Sequence, residues 1–188
     1  ATVIAWWLTT DAAAAVERLI LSSNKITTSK TWDDCDSSDE DDEPEYDSDL
    51  SGIISLCDAL PTLKNPIELD LSNCSLSVKA VNEIAKAVSA GAVIVSLNCL
   101  ANRFGDEGLA TLLTAIEGTS VRSLCGLTEG QTTADFSAHG LGPIDCKIMK
   151  AEFDFCGFIA AVVDLNISIN PIGVDGAKAL GDVISGSS

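Results

Sequence analysis

The chain of 188 residues is long enough to bury one sizeable hydrophobic core, and 46% of its residues are hydrophobic. It carries 28 acidic and 11 basic residues. The resulting net charge of −17 disfavours sequence-independent binding to nucleic acid or to anionic lipid. Residues 3–8 form the longest early apolar stretch, far short of the roughly 18 residues that a membrane span requires. We therefore expect neither a nucleic-acid partner nor a membrane span.

Seven cysteines are spread singly along the chain without a C-x-x-C pair, and His139 is the only histidine. This pattern supplies no zinc ligand set and suggests reduced, buried thiols, so we expect no metal or other cofactor and a reducing compartment, the cytoplasm. The chain begins with Ala1 instead of Met, which leaves an organelle reached through a removed presequence as the alternative.

A fixed spacing of apolar residues recurs along the chain. The first copy contains Val16, Leu19, Leu21 and Ile26, which we number as steps 1, 4, 6 and 11 of the pattern. Asn24 then stands at the ninth step. Further copies follow at residues 67–76, 94–104, 131–141 and 162–172, and a stunted one begins at 121–126. The alternating fourth and sixth steps predict a short strand with one buried face, and the ninth-step residue can satisfy buried backbone groups at the turn that follows.

The spacing becomes helical after each turn, as in residues 80–88 and 109–116. Cys74 and Asn102, both at the ninth step, are 28 residues apart, within the roughly 20–29 residues of a leucine-rich repeat. Asn24 and Cys74 are 50 residues apart, which is too long for one repeat and therefore indicates an insertion. The insertion lies between the first strand and the helix of the first repeat, which is predicted at residues 50–63. Residues 33–49 fill it with eleven acidic side chains and no basic one.

The segments 102–110, with Asn102, Gly105 and Gly108, and 170–180, with Asn170, Gly173 and Gly176, resemble leucine-rich repeats of the ribonuclease-inhibitor subfamily. The resemblance implies an α/β fold: a short horseshoe-shaped leucine-rich-repeat solenoid with parallel strands on the concave face and helices on the convex face. We predict one domain over residues 1–188. Its predicted parts are an N-terminal cap at 1–15, repeats at 16–32 and 50–184, and a disordered acidic insertion at 31–49.

The acidic insertion has two interpretations. It is a solubilising loop, or it attracts a basic partner through Asp39, Glu40, Asp41, Asp42 and Glu43. An EF-hand calcium loop is disfavoured because no glycine occurs between residues 27 and 51. Ser37, Ser38 and Ser48 lie among acidic residues and are candidate phosphorylation sites.

Catalytic chemistry finds little support. No phosphate-binding loop is present, and His139 stands at the ninth step of its repeat, which favours a role in the turn over that of a general base. Cys74 and Cys99 fall at inward steps, whereas Cys125 is expected on the concave face as the most accessible thiol. We therefore predict that the chain is not an enzyme.

The concave face is where a solenoid binds its partners. The third and fifth steps of successive repeats should align there and present more acidic than basic groups, which suits a partner with a basic surface. The predicted binding residues are Arg18, Glu68, Asp70, Ser96, Asn98, Ser123, Cys125, Asp135, Asp164 and Asn166. Trp6 and Trp7 are expected to cap the amino-terminal end of the core, with anchoring of a partner as the alternative.

These features predict a protein-interaction scaffold or adaptor that is a subunit of a larger assembly. One alternative is a regulator of a small GTPase, because a group of proteins with similar repeats and an acidic segment activates Ran. In this chain, Arg18, Arg103 or Arg122 would then be the catalytic arginine. The other is the ligand-sensing repeat fragment of a larger receptor.

Overall fold

The computed structural model describes residues 2–27, 48–155 and 162–186. They form a mixed α/β structure in which short strands alternate with helices. The strands are β1 (Arg18–Ile20), β2 (Ile67–Asp70), β3 (Ile94–Asn98), β4 (Thr133–Asp135) and β5 (Asp164–Asn166). The helices are α1 (Thr2–Leu8), α2 (Ser51–Ala59), α3 (Val78–Ser89), α4 (Gly105–Ile116), α5 (Pro143–Phe155) and α6 (Gly173–Gly186).

The strands form two parallel sheets, ordered β1-β2-β3 and β4-β5. Between them, residues 121–125 lie against β3 through isolated bridges without becoming a regular strand; Leu97 N donates to Ser123 O over 2.8 Å. This is the stunted copy of the sequence pattern. Residues 126–132 contain no helical spacing of apolar residues, so the chain turns back and enters β4 without a helix.

The core lies between the strands and the helices. Leu69 and Leu97 point inward from β2 and β3, and Leu71 does so directly after β2; all three are fully buried, as the fourth and sixth steps predict. Ile84 and Leu112 meet them from α3 and α4. Each helix contacts the next one along the chain, so the units of strand, turn and helix are arranged in sequence. Within the described ranges, no helix combines the length and the apolar character needed to cross a bilayer.

The amino-terminal cap differs from the prediction. Helix α1 covers the end of the core with Ala5 and Leu8, which are buried, while Trp6 is 69% and Trp7 37% exposed. Both indoles are therefore exposed to solvent, and Ala5 and Leu8 cover the core in their place. The predicted acidic insertion at 31–49, with Asp39 to Glu43, lies outside the described residues apart from Ser48 and Asp49.

Every full unit makes the same left-handed turn after its strand. The residue at the eighth step has a φ between 52° and 59° in all five units; these residues are Ser23, Asn73, Ala101, Ala138 and Ile169. A left-handed residue reverses the backbone tightly. It thereby places the ninth-step side chain beneath the turn.

Asn102 shows what the ninth step does. Its Nδ2 donates to Leu71 O (2.9 Å) of the preceding unit and to carbonyls of its own turn, while its Oδ1 accepts from Cys74 N (3.1 Å) and Leu76 N (3.0 Å). Asn170 makes the equivalent bonds to Phe136 O, His139 N and Leu141 N. One carboxamide thus joins two consecutive turns.

Cysteine and histidine replace asparagine at this step in two units. Cys74 Sγ donates to Leu21 O over 3.1 Å, and His139 Nδ1 lies 2.6 Å from Ser137 O. The contact of His139 is a hydrogen bond when Nδ1 carries the proton. His139 therefore serves its own turn, as its place in the sequence pattern suggested.

The glycines of the segments 102–110 and 170–180 have two different structural roles. Gly105 (φ 60°) and Gly173 (φ 63°) start α4 and α6 from a left-handed conformation. Gly108 allows close packing, because a Cβ there would lie 2.6 Å from Phe104 Cβ.

We expect Gly108→Ala to lower the free energy of unfolding by about 1–3 kcal/mol through this overpacking. Gly181→Ala on α6 is the matched control: its Cβ would meet nothing within 4 Å, and alanine favours the helix, so stability should rise by up to about 1 kcal/mol. Urea unfolding of both variants measures the difference. Equal effects of the two substitutions would contradict the packing role of Gly108.

Candidate functional site

Within the two sheets, the side chains at the third and fifth steps lie on the side opposite the core, and we call this surface the open strand face. In the first sheet, Arg18 pairs in register with Glu68 and Glu68 with Ser96; in the next row, Asp70 pairs with Asn98. In the second sheet, Thr133 pairs with Asp164 and Asp135 with Asn166. Eight of the ten predicted binding residues therefore lie in register on the two sheets, five on the first and three on the second. Ser123 and Cys125 lie outside the strands.

A depression of about 120 Å³ lies on the open strand face of the first sheet. Its lining is Arg18, Ile20, Glu68, Leu69, Asp70, Ser96, Asn98 and Gly126. Gly126 is required there, since a Cβ on it would lie 2.9 Å from Asn98 Cβ. The depression therefore exists because the irregular segment, residues 121–127, lies close to β3 and has a glycine at the point of contact.

Arg18 and Glu68 form an ion pair at the rim of this depression, with Arg18 Nε 2.6 Å from Glu68 Oε2. Both side chains reach solvent, so the pair contributes at most about 1 kcal/mol to stability. Because Arg18 balances Glu68, the excess negative charge of the open strand face comes from Asp70, Asp135 and Asp164.

The fifth-step residues also have a structural task that the sequence analysis missed. Asp70 Oδ1 accepts from Ser72 N, Asn98 Oδ1 from Leu100 N and Asp135 Oδ1 from Ser137 N, and Asn166 repeats the bond with Ser168 N. The hydroxyl and the N–H of Ser137 hold the pKa of the Asp135 carboxyl below its usual value. The signal was present, because Asp and Asn bond the backbone two residues ahead in turns.

Three of the predicted binding residues are buried. Ser123 is fully enclosed and Cys125 is 2% exposed, and Ser96 is buried beside them. The prediction that Cys125 is the most accessible thiol is wrong. The prediction assumed a regular strand at 121–126, whereas this segment folds inward over Glu152.

Glu152 is a fully buried carboxylate on α5 that holds this segment from inside. Its Oε1 accepts from Ser123 Oγ (2.7 Å), and its Oε2 accepts from Leu124 N (2.9 Å) and Cys125 N (2.7 Å). Asp145, also buried, accepts from Ala101 N (2.6 Å) and Gly142 N (2.7 Å). Burial raises the pKa of Asp145 despite these two hydrogen bonds. Both carboxylates accept hydrogen bonds from backbone N–H groups. In a regular unit, the carbonyls of a neighbouring strand and the side chain of a ninth-step asparagine would accept these bonds.

We expect Cys57, Cys74, Cys99, Cys125 and Cys146 of the native chain to resist iodoacetamide at neutral pH. The thiolate is the reactive form, and burial raises the pKa of each of these thiols, that of Cys57 to about 12. Mass spectrometry of peptides after alkylation, with and without denaturant, measures this. Fast alkylation of native Cys125 would reinstate it as an accessible residue.

The arginines considered for GTPase regulation are placed as follows. Arg18 pairs with Glu68, and Arg122 Nη1 donates to Thr119 O and Val121 O. Arg103 donates its backbone N–H to Leu76 O. In the part of the chain that the structure describes, no group of His, Cys, Asp or Glu side chains is placed to hold a metal ion.

A second depression, of about 900 Å³, lies between α3 and α4 on the helical side. Its lining includes the small side chains of Ala85, Ala110 and Thr111 together with the basic side chains of Lys79 and Lys86. None of the predicted binding residues lies there.

No family model matches the chain, and no curated protein matches it. Among solved structures, the C-terminal domain of tropomodulin from Caenorhabditis elegans is similar, with a TM-score of 0.49 and 14% sequence identity over 98% of this chain and 91% of that one.

Proposed function

We propose that the chain is a leucine-rich-repeat solenoid that binds another protein through the open strand face. The observation that carries the proposal is the alignment of third- and fifth-step side chains in register along both sheets, most of them at least partly exposed. Extended surfaces of this kind are how repeat proteins bind. The ribonuclease-inhibitor subfamily is proposed on the segments 102–110 and 170–180.

The chemistry of the open strand face favours a partner with lysine or arginine side chains. Asp70, Asp135 and Asp164 carry charge that no described basic group pairs with, and the exposed Ile20 adds an apolar contact beside the depression. A cationic head group can enter the depression between Asp70 and Asn98. Such charge complementarity sets the register and the rate of association more than the affinity.

We therefore assign the chain the role of a scaffold or adaptor subunit, with the acidic insertion as a second, electrostatic contact. The roles of GTPase regulator and of a ligand-sensing receptor fragment remain alternatives that no contact among the described residues favours.

Affinity purification from the native source, followed by mass spectrometry, tests the proposal. The variant Ile20→Lys/Asp164→Lys reverses the character of the open strand face at two exposed positions, and Glu107→Lys on α4 is the matched control on the helical side. Proteins that the wild type and the control retain, and that the double variant loses, would support the open strand face. Equal recovery by all three baits would overturn it, and loss only with a bait lacking residues 33–49 would assign binding to the acidic insertion.

A further inference from the structure

The depression on the open strand face combines apolar, acidic and amide side chains in one row across the first sheet. Ile20 pairs in register with Asp70, and Asp70 pairs with Asn98. All three residues line the depression, together with Gly126 beside Asn98. Ile20 is 59% exposed, whereas Asp70 and Asn98 are half-buried. An exposed apolar side chain therefore lies directly beside a carboxylate.

Ile20 departs from the fifth-step pattern of the other strands. In β2 to β5, an Asp or Asn stands at this step and accepts a hydrogen bond from the N–H group two residues ahead. A hydrocarbon side chain cannot accept this bond. The turn after β1 therefore does not account for Ile20, whose exposed surface is available for an apolar contact with a ligand.

The two carboxylates that line the depression each offer one acceptor oxygen. Asp70 Oδ1 accepts from Ser72 N (2.9 Å) and from Ser72 Oγ (2.7 Å), whereas Asp70 Oδ2 accepts from no described residue. Both contacts of Glu68 with Arg18 are made by Glu68 Oε2. Neither carboxylate therefore presents two free oxygens side by side.

This arrangement suits an ammonium group better than a guanidinium group. A guanidinium is recognised best by both oxygens of one carboxylate, which accept two parallel N–H bonds. An ammonium is a compact charge that is satisfied by single acceptors, and the methylene stem of a lysine can lie along apolar surface. The lining carries one uncompensated negative charge, that of Asp70, because Arg18 balances Glu68. One cation neutralises it.

We propose that the depression binds a single lysine side chain of the protein partner, in preference to arginine. The ammonium group binds at Asp70 Oδ2, and the methylene stem packs on Ile20. This inference rests on the proposed function, since it names the group by which the open strand face holds its partner. Acetylation of that lysine removes its charge and therefore releases the contact.

NMR titration of the isotope-labelled full chain with three pentapeptides tests the proposal. The peptides carry lysine, arginine or acetyllysine at the centre, flanked by glycines and blocked at both ends. The lysine peptide should shift the amide signals of Ile20, Asp70 and Asn98 in a saturable way. The acetyllysine peptide should bind at least about tenfold more weakly, because it lacks the charge-assisted hydrogen bond. The arginine peptide should also bind more weakly than the lysine peptide.

Three variants assign the binding to named side chains. Asp70→Asn removes the charge but keeps the turn, because Asn98 and Asn166 make the same turn bond. It should weaken binding of the lysine peptide at least about tenfold. Asp58→Asn removes the same charge from an exposed position on α2 and should leave binding unchanged. Ile20→Ser removes the apolar contact and should weaken binding by a smaller factor.

Binding that Asp70→Asn loses and Asp58→Asn keeps would support the proposal. Equal effects of these two variants, equal binding of the lysine and acetyllysine peptides, or an arginine peptide that binds as tightly as the lysine peptide would overturn it. The absence of any saturable shift would overturn it as well. In that case, partners lost by the Ile20→Lys/Asp164→Lys bait would show that the open strand face still binds by other contacts, so the two proposals fail separately.

Discussion

The substitution Glu152→Ala is expected to lower the free energy of unfolding by about 3–5 kcal/mol, a large part of the stability of an ordinary domain. It leaves Leu124 N and the Ser123 hydroxyl buried without their acceptor, and it leaves Cys125 N with only its longer bond to Ser123 Oγ (3.2 Å). Each orphaned buried donor costs about 1–3 kcal/mol. Urea unfolding followed by circular dichroism measures the loss.

Two further variants test the assignment to Glu152. Glu152→Gln preserves the shape and one acceptor oxygen but points an NH₂ group at backbone N–H donors or at Ser123, so its loss should fall between that of Glu152→Ala and zero. Asp154→Asn removes an exposed carboxylate from the same helix and should change stability little. A Glu152→Ala variant as stable as Asp154→Asn would show that the segment 121–127 is held in another way.

The second large effect is expected for Asn102→Ala, also about 3–5 kcal/mol, because the buried N–H groups of Cys74 and Leu76 and the carbonyl of Leu71 all lose their partner. Asn102→Cys copies the residue found at the same step in the preceding unit. A thiol still donates weakly but replaces a strong acceptor, so its effect should be intermediate.

Asn24→Ala is the matched control for Asn102. Among the described residues, Asn24 Nδ2 bonds to Leu21 O and Ser22 O of its own turn and to no neighbouring turn, and the side chain is exposed. Its loss should cost about 1 kcal/mol or less. Equal unfolding midpoints for Asn24→Ala and Asn102→Ala would contradict the role of Asn102 in joining two turns.

The sequence alone predicted the position and inward face of the strands, the helical spacings and the ninth-step turn residues. These features depend on the local spacing of apolar residues, which a single amino-acid sequence shows directly. The register of the third- and fifth-step rows followed directly, since Arg18 does lie beside Glu68 and Asp70 beside Asn98.

The errors come from places where distant residues decide the local structure. Cys125 is buried because Glu152, 27 residues further along, draws its backbone inward. An acidic residue one helical turn after the buried Met149 was a visible but weak hint of this contact. Trp6 faces outward because Ala5 and Leu8 suffice to cover the small end of the core, a packing outcome that apolar content alone does not reveal.

The irregular segment 121–127 also divides the cooperativity of the chain. The ladder of strands is interrupted between β3 and β4, and α4 contacts α5 far less than α3 contacts α4 or α5 contacts α6. In a repeat protein, stability is a sum over units and the boundaries between them, and this boundary is the weak one. The block from β4 to α6 can open while β1 to α4 stays folded, so protection of amide protons against exchange should step down at residues 121–127.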